Sequence, residues 1–179
     1  IKTIYVQDEA NNFARTNEIL SEYPEAEIVN VDNHWKMEGL NQNPEVLKNW
    51  TQIKSHSLVL GVKKSIATRP NCRSTDFIAP SLANGCTGAC SYCYVARRKG
   101  YANPITTFVN SEKILAHIDR KTTKLGKKVI NDETAKALKT TKEDLEQTDP
   151  KLWTFDIGEN SDISIDAEIS DSVYELIQM

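Results

Sequence analysis

Apolar residues form short strand-like runs and helix-like stripes along the first third of the chain. Three runs are rich in β-branched residues and predict strands at residues 3–6, 27–31 and 57–62. Residues 10–23 space their apolar side chains at helical intervals, and a second helix is predicted from Asn43 to Ile53. This alternation of strands and helices predicts a small parallel α/β unit over residues 1–65.

The remainder of the chain carries a second series of segments of the same kind. Strands are predicted at residues 77–82, 105–109 and 153–157, and helices at 111–125, 131–147 and from Ser170-Asp171 onward. The helix at 111–125 is predicted to stop at Gly126, while 131–147 has a thin apolar face typical of a surface insertion. We therefore predict an α/β protein with two domains, residues 1–65 and 66–179.

Composition adds that the chain is polar and has one segment crowded with cysteine. Of the 179 residues, 26% are charged, and no apolar run approaches the ~20 residues of a membrane span. The first residues lack the apolar core of a signal peptide. Because the cysteines cluster, they favour metal binding in a reducing compartment over disulfide staples. We expect a cytoplasmic protein with no membrane partner.

Charge is distributed unevenly along the chain. The net formal charge is −3, but residues 51–128 hold 14 Lys and Arg against 3 Asp and Glu, and the segments on either side are acidic. A basic middle containing the cysteine segment predicts a polyanionic partner. The alternative is a solvated face on one helix, formed by Lys113, Arg120, Lys121, Lys124, Lys127 and Lys128.

Three cysteines form a C-x3-C-x2-C motif: Cys86, Cys90 and Cys93. Their thiolates can converge on one metal centre, and three ligands would leave one metal position open for a substrate. Gly85 and Gly88 suit a loop that wraps tightly around such a centre. The alternative is a structural zinc site closed by Cys72 or by a histidine.

The spacing, with Tyr92 directly before the third cysteine, resembles the radical S-adenosylmethionine signature C-x3-C-x-aromatic-C. The longer string from Ala83 to Tyr94 is similar to the spore photoproduct lyase family in particular. The resemblance implies a [4Fe-4S] cluster on the three cysteines, with S-adenosyl-L-methionine at the open iron. It also implies that residues 66–179 are the start of a partial (β/α) barrel, with its C-terminal half absent. Tyr92 corresponds to the family's aromatic residue that packs beside the adenine. Tyr92 and Tyr94 also match two tyrosines of the family's radical relay.

A polar loop at residues 158–162 resembles the family's cofactor loop. The letters SDISID at residues 161–166 are similar to a Ser-Asp…Ile-Asp string of the family. Three side chains are thereby implied to bind the ammonium and carboxylate of the cofactor: Asn160, Ser161 and Asp162. The family has a hydrogen-donating cysteine two residues before the serine, and this chain has Glu159 there. The alternative is an Asp- and Ser-rich turn that caps the last helix.

Together these features predict a radical S-adenosylmethionine enzyme of the lyase type that acts on a nucleic-acid base lesion, as in DNA repair. Arg97, Arg98 and Lys99 follow the cysteine loop and are candidates to contact the cofactor carboxylate or DNA phosphates. An electron donor such as a flavodoxin or ferredoxin is implied, and the oligomeric state stays open. The alternative function is a non-catalytic zinc or iron–sulfur module that binds nucleic acid through a basic surface.

Overall fold

The structure, a computed structural model, describes residues 1–35, 37, 40, 45, 48–71, 74–88, 90, 92–95 and 104–178. The chain divides into two compact units, each assembled from separate stretches of sequence. Unit 1 comprises Ile1–Lys64, Leu82–Ser111 and Asn160–Met179, and unit 2 comprises Ser65–Ser81 and Glu112–Glu159. The predicted α/β fold class is confirmed, whereas the domain assignment 1–65 and 66–179 stays a prediction.

Within the described residues the strands are β1 (Thr3–Gln7), β2 (Glu27–Val31), β3 (Ser57–Gly61), β4 (Arg69–Pro70), β5 (Phe77–Ile78), β6 (Ala83–Asn84), β7 (Ile105–Phe108) and β8 (Phe155–Asp156). The helices are α1 (Ala14–Glu22), α2 (Trp50–His56), α3 (Ser111–Leu125), α4 (Asp132–Leu138), α5 (Lys142–Glu146), α6 (Ile163–Ile169) and α7 (Ser172–Ile177), with a 3-10 helix at Asp8–Asn12.

A five-stranded sheet with the order β2-β1-β3-β7-β6 forms the centre of unit 1. β1 pairs in parallel with β2 and β3, so that Tyr5 lies opposite Val29 and Val59. β7 continues the sheet in parallel with β3, and β6 runs antiparallel to β7. The three strands predicted in residues 1–62 and their parallel arrangement are therefore confirmed.

The core of unit 1 lies on the side of the sheet that α1 and α6 cover. Ile4, Val6, Leu58 and Leu60 are completely buried there, and Ile169 packs against them. The alternation along β1 explains this, because every second side chain of a strand points to the same face. Burial of these aliphatic side chains is the main source of stability for this unit.

The prediction of a single strand at residues 77–82 is wrong. Phe77–Ile78 forms β5 in the sheet of unit 2, and Ala83–Asn84 forms β6 in the sheet of unit 1. The backbone N–H of Ala79 still donates to Asp156 O at 2.8 Å, but Pro80 has no N–H with which to extend the ladder. The cysteine segment therefore follows an antiparallel strand, and not the end of a parallel one.

Unit 2 contains the three-stranded sheet β4-β5-β8. The Phe77 and Phe155 rings stack across β5 and β8 with centroids 5.3 Å apart, and Trp153 lies 5.7 Å from Phe77. Helix α3 has the predicted bounds and ends before Gly126, whose φ of +63° suits glycine. The strand predicted at 153–157 is confirmed but shorter.

The one helix predicted at residues 131–147 is instead two. Asn131 caps α4 by accepting from the Thr134 N–H, and the chain leaves the helix at Lys139, which has φ 56°. Thr141 and Asp144 then form a capping box that starts α5. Helix α6, capped by Asp162, was not predicted at all.

Some predicted features lie outside the described residues. They are the start of the second helix at Asn43, Cys72, and the basic residues Arg97, Arg98 and Lys99. Across the part of the chain that is described, we find no helix with the length and apolar character that a membrane crossing requires.

Candidate metal and cofactor site

Two distant segments of unit 1 meet where β6 leads into the cysteine segment. The Gly85 N–H donates to Asn160 O at 2.8 Å, and Gly85 and Ser161 form an isolated parallel bridge. Gly85 has a φ of +98°, and a Cβ there would lie 3.4 Å from the Ile105 backbone, so both conformation and space favour glycine. The start of the cysteine loop thus pairs with the start of the polar loop. These are the two segments that the sequence identified as candidates.

Backbone N–H groups point at two of the three cysteine sulfur atoms. The Gly88 N–H lies 3.2 Å from Cys86 Sγ, and the Val95 N–H lies 3.5 Å from Cys93 Sγ. Hydrogen bonds to sulfur are among the contacts by which proteins tune iron–sulfur clusters. A Cβ on Gly88 would lie 3.4 Å from Cys86 Sγ and 3.6 Å from Cys90 Sγ, so a side chain there would fill the space beside both atoms.

Among the described residues, no three or more His, Cys, Asp and Glu side chains are arranged to hold a single metal ion. A four-iron cluster makes a different demand, because each thiolate binds a different iron atom. The donor types, the N–H groups at sulfur and the small residue beside Cys86 and Cys90 fit a cluster of that kind.

Asp162 joins the same neighbourhood. Its Oδ2 lies 3.9 Å from Cys86 Sγ, while its Oδ1 accepts from the Ser164 N–H at 3.1 Å and from Ser164 Oγ at 2.7 Å. Burial raises the pKa of the Cys86 thiol; the Gly88 N–H opposes this, and negative charge on Asp162, Cys90 and Cys93 reinforces it. Asp162 also caps α6. Its expected contact with the cofactor stays a prediction.

The two predicted tyrosines are open to solvent. Tyr92 is 91% exposed and Tyr94 is 48% exposed. A hydrogen bond with Cys90 raises the pKa of Tyr92. The expectation that Tyr92 packs beside the cofactor adenine, and that both tyrosines relay a radical, stays a prediction.

Glu159 forms an ion pair with Arg69 of unit 2. Arg69, Lys63 and Lys64 all belong to the basic middle of the sequence. Lys64 lies 3.6 Å from Glu9, and Lys63 Nζ lies 4.8 Å from the centroid of the Phe108 ring.

Three buried polar residues near these segments were missed by the sequence analysis or left without a role. Lys54 on α2 is 2% exposed; burial lowers its pKa, and negative charge on Cys86 opposes the shift. Asp166 on α6 is 2% exposed; burial raises its pKa to about 6, against the opposing effects of Thr107 and Arg15. Asn84 is 3% exposed and directly precedes Gly85. Asn84 gave no signal in the sequence, because it follows the strand predicted at residues 77–82.

The fold is shared with solved structures of spore photoproduct lyase. A structure of that enzyme complexed with dinucleoside spore photoproduct matches with a TM-score of 0.73 at 22% identity, over 98% of this chain and 45% of that one. A mutant with bound AdoMet and dinucleoside spore photoproduct matches over the same shares with the same TM-score. At this identity the likeness establishes the fold alone.

A family model described as spore photoproduct lyase matches residues 1–137, so the chain belongs to the spore photoproduct lyase family. The spore photoproduct lyase of Geobacillus sp. (strain Y412MC61) is 28% identical over 121 residues, 66% of this chain and 35% of that protein. That of Bacillus subtilis (strain 168) is 36% identical over 74 residues, 41% of this chain and 21% of that protein. The chain thus spans about a third or less of the length of these relatives.

Proposed function

We propose that this chain holds the iron–sulfur cluster and the methionine end of S-adenosyl-L-methionine in a radical enzyme that repairs a nucleic-acid base lesion. The observation that carries the proposal is the pairing of Gly85 with Asn160 and Ser161, which brings the cysteine loop and the polar loop together. Solved relatives with the same fold bind AdoMet and a dinucleoside lesion. An electron donor such as a flavodoxin or ferredoxin is part of the proposal.

In this proposal Cys86, Cys90 and Cys93 are the cluster ligands. When bound, the cluster and S-adenosyl-L-methionine supply one-electron cleavage of a carbon–sulfur bond. The protein contributes position and exclusion of water. The Gly88 N–H, 3.2 Å from Cys86 Sγ, opposes the rise that burial causes in the pKa of that thiol.

The polar loop supplies complementary groups for an α-amino acid. The Asp162 carboxylate accepts hydrogen bonds from an ammonium, and the Ser161 hydroxyl and Asn160 amide can donate to a carboxylate. Because Asp162 Oδ2 lies 3.9 Å from Cys86 Sγ, an ammonium held by Asp162 would stand beside the cluster ligand. We propose these three residues as the first cofactor contacts.

Glu159 limits how far the repair chemistry of the family carries over. A carboxylate cannot return a hydrogen atom to a carbon radical as a thiol can, and Glu159 is paired with Arg69. We therefore propose that the hydrogen atom comes from another group, with Tyr94 as the first candidate. It follows the last cluster cysteine directly and is 48% exposed.

Anaerobic reconstitution with iron and sulfide tests the proposal. The 179-residue chain is expected to turn brown with about four iron atoms per chain, the content of one four-iron cluster. With S-adenosyl-L-methionine and reductant it should release 5′-deoxyadenosine. Each of Cys86→Ala, Cys90→Ala and Cys93→Ala should lose the cluster, while the matched variant Cys72→Ala should keep it.

A colourless protein with one bound zinc would favour the non-catalytic module instead. Loss of metal in Cys72→Ala, with metal kept in one of the other three, would overturn the ligand assignment. With dinucleoside spore photoproduct as substrate, Glu159→Cys should raise the yield of repaired dinucleotide at unchanged iron content. An unchanged yield would contradict the role given to this position.

A further inference from the structure

Asn84 is a buried polar residue whose side chain makes no hydrogen bond with any residue that the structure describes. It is 3% exposed, and within the described part of the chain neither its Oδ1 nor its Nδ2 has a hydrogen-bond partner. Leaving a buried amide unpaired is costly, and it is rare in folded proteins. Asparagine is also uncommon in strands, yet Asn84 lies on β6. A locally unfavourable residue of this kind is typical of a functional position.

The position of Asn84 joins it to the candidate site. It directly precedes Gly85, whose N–H is held by Asn160 O at 2.8 Å. Asn84 and Asn160 each come one residue before the bridge between Gly85 and Ser161, so they occupy corresponding places on two parallel segments. Across the antiparallel pair, Asn84 lies opposite Thr106 of β7. Asn84 therefore lies at the start of the cysteine loop, one residue before the backbone contact with the proposed cofactor loop.

The chemistry of the vacant atoms defines what would satisfy them. Nδ2 can donate two hydrogen bonds and Oδ1 can accept two, so a fitting ligand offers an acceptor and a donor close together. An α-amino acid does so, because its carboxylate accepts and its ammonium donates. Asp162 Oδ2, 3.9 Å from Cys86 Sγ, adds a second acceptor for the ammonium in the same neighbourhood.

We propose that Asn84 is a cofactor-binding residue that hydrogen-bonds the α-amino and α-carboxylate groups of S-adenosyl-L-methionine. The inference rests on the proposed function and extends the contact set from residues 160–162 to the strand on the other side of the cysteine loop. Its amide has no partner among the residues that the structure describes and would be satisfied when the cofactor binds. Binding affinity at this residue is thus obtained at the expense of the stability of the free protein.

The test compares Asn84→Leu, which keeps the shape of the side chain without its polar atoms, with the unmodified chain. Thermal unfolding of the cluster-free protein should shift upward by about 2–4 °C, because an unsatisfied buried amide is removed. A structurally required asparagine would shift it downward. On the reconstituted chain, Kd for S-adenosyl-L-methionine and for S-adenosylhomocysteine should rise about tenfold or more. Kd for methylthioadenosine, which lacks the amino acid, should stay unchanged.

Ser111→Ala is the matched control, since Ser111 is also buried and its hydroxyl has no hydrogen-bond partner among the described residues. It should leave all three Kd values unchanged. Equal weakening of all three ligands by Asn84→Leu, no weakening at all, or a lower melting temperature would overturn the inference. If Asn84→Leu does not fold, Asn84→Ala decides by the same comparison of ligands. An unmodified chain that takes up neither cluster nor ligand would overturn the proposed function and this inference together. Cluster and ligand binding that is insensitive to Asn84 would overturn only the inference.

Discussion

Asp76 and Lys128 form an ion pair enclosed within unit 2. Lys128 Nζ donates to the two Asp76 carboxylate oxygens at 2.8 and 2.9 Å and to Asp149 O at 2.8 Å. Asp76 also accepts from the Thr154 N–H and hydroxyl, both at 2.9 Å. Both charged side chains are 0% exposed. Because the pair is thoroughly hydrogen-bonded, removal of one partner would leave a buried charge uncompensated.

Asp76→Asn is therefore expected to lower the free energy of unfolding at pH 7 by about 3–5 kcal/mol. Burial alone would raise the pKa of Asp76, but hydrogen bonds from Lys128, Thr154 and Thr148 outweigh it and hold that pKa below its usual 3.8. The stabilisation is thus present above pH 3.8 and is lost as pH falls through the lower pKa of the folded state. Urea denaturation of both proteins between pH 7 and pH 2 measures it.

The quantity to follow is the difference in the free energy of unfolding between the unmodified chain and Asp76→Asn. Burial raises the pKa of Asp166 to about 6, so its contribution has the opposite dependence on pH and is common to both proteins. Asp119→Asn removes an exposed carboxylate from α3 and should change the unfolding free energy by less than about 0.5 kcal/mol. A difference that stays constant down to the most acid pH would contradict the assignment to the Asp76 carboxylate.

Residue roles could be predicted where the contacts are local or carried by a motif. The cysteine spacing and the polar loop identified two segments that the structure brings together. Lys128, in contrast, was assigned to the alternative of a solvated helix face, and that assignment is wrong. Lys128 is buried against Asp76, which lies 52 residues earlier in the chain. Charge pattern alone cannot tell a solvated lysine from one whose carboxylate arrives from a distant segment.

At the scale of elements, helix α4 ends on a residue in an unfavourable conformation. Lys139 has φ 56°, in the left-handed region, and its N–H bonds back to the carbonyls of Ala135 and Lys136. This geometry is usual for glycine at the end of a helix and costs other residues free energy.

Lys139→Gly should raise the free energy of unfolding by about 0.5–1 kcal/mol, since glycine adopts this conformation without the steric penalty of a Cβ. The matched change Lys136→Gly, within the helix, should lower it by about 1 kcal/mol. Chemical denaturation of the two variants beside the unmodified chain distinguishes them. Destabilisation by both would show that Lys139 is not strained.

The elements most accurately predicted are those with strong periodicity. Helix α3 has the predicted bounds because Ile114 and Ile118 repeat at helical spacing and are buried. The break between α4 and α5 was missed although Thr141 and Asp144 carry a capping-box pattern. The predicted strand at 77–82 is replaced by β5 in one sheet and β6 in the other. Local sequence pattern could not show this, because it depends on which distant strands Phe77 and Ala83 pair with.

At the scale of the whole molecule, helix α3 carries part of the basic middle of the sequence. Lys113, His117, Arg120 and Lys124 recur at helical spacing and form a basic stripe. Three of them line a cavity of about 530 Å³ beside Ile66. Burial lowers the pKa of His117, and the positive charges of Arg120 and Lys121 lower it further. Lys113, Arg120 and Lys124 give this face positive charge, although Glu112 also lines the cavity, and a basic face favours a polyanion such as DNA.

Affinity for DNA should fall with salt, with log K decreasing by about 0.7–0.9 per phosphate contact for each log unit of salt. Arg120→Glu with Lys124→Glu should reduce that slope and weaken binding at low salt. Lys151→Glu makes a charge reversal of the same kind outside the stripe and should leave the slope unchanged. Fluorescence anisotropy with a labelled duplex at several salt concentrations measures this. A flat salt dependence in the unmodified chain would remove DNA from the list of partners.

The interleaving of the two units sets an order of events on the ribosome. All residues of unit 2 have been synthesised at Glu159, before the last segment of unit 1, Asn160–Met179, begins. Until that segment emerges, the face of the sheet against which Ile169 packs is not yet covered by α6. The nascent chain then presents aliphatic residues such as Leu58 and Leu60 to cellular chaperones. Pausing of translation just after Glu159 would prolong this interval and so raise the demand for chaperone assistance.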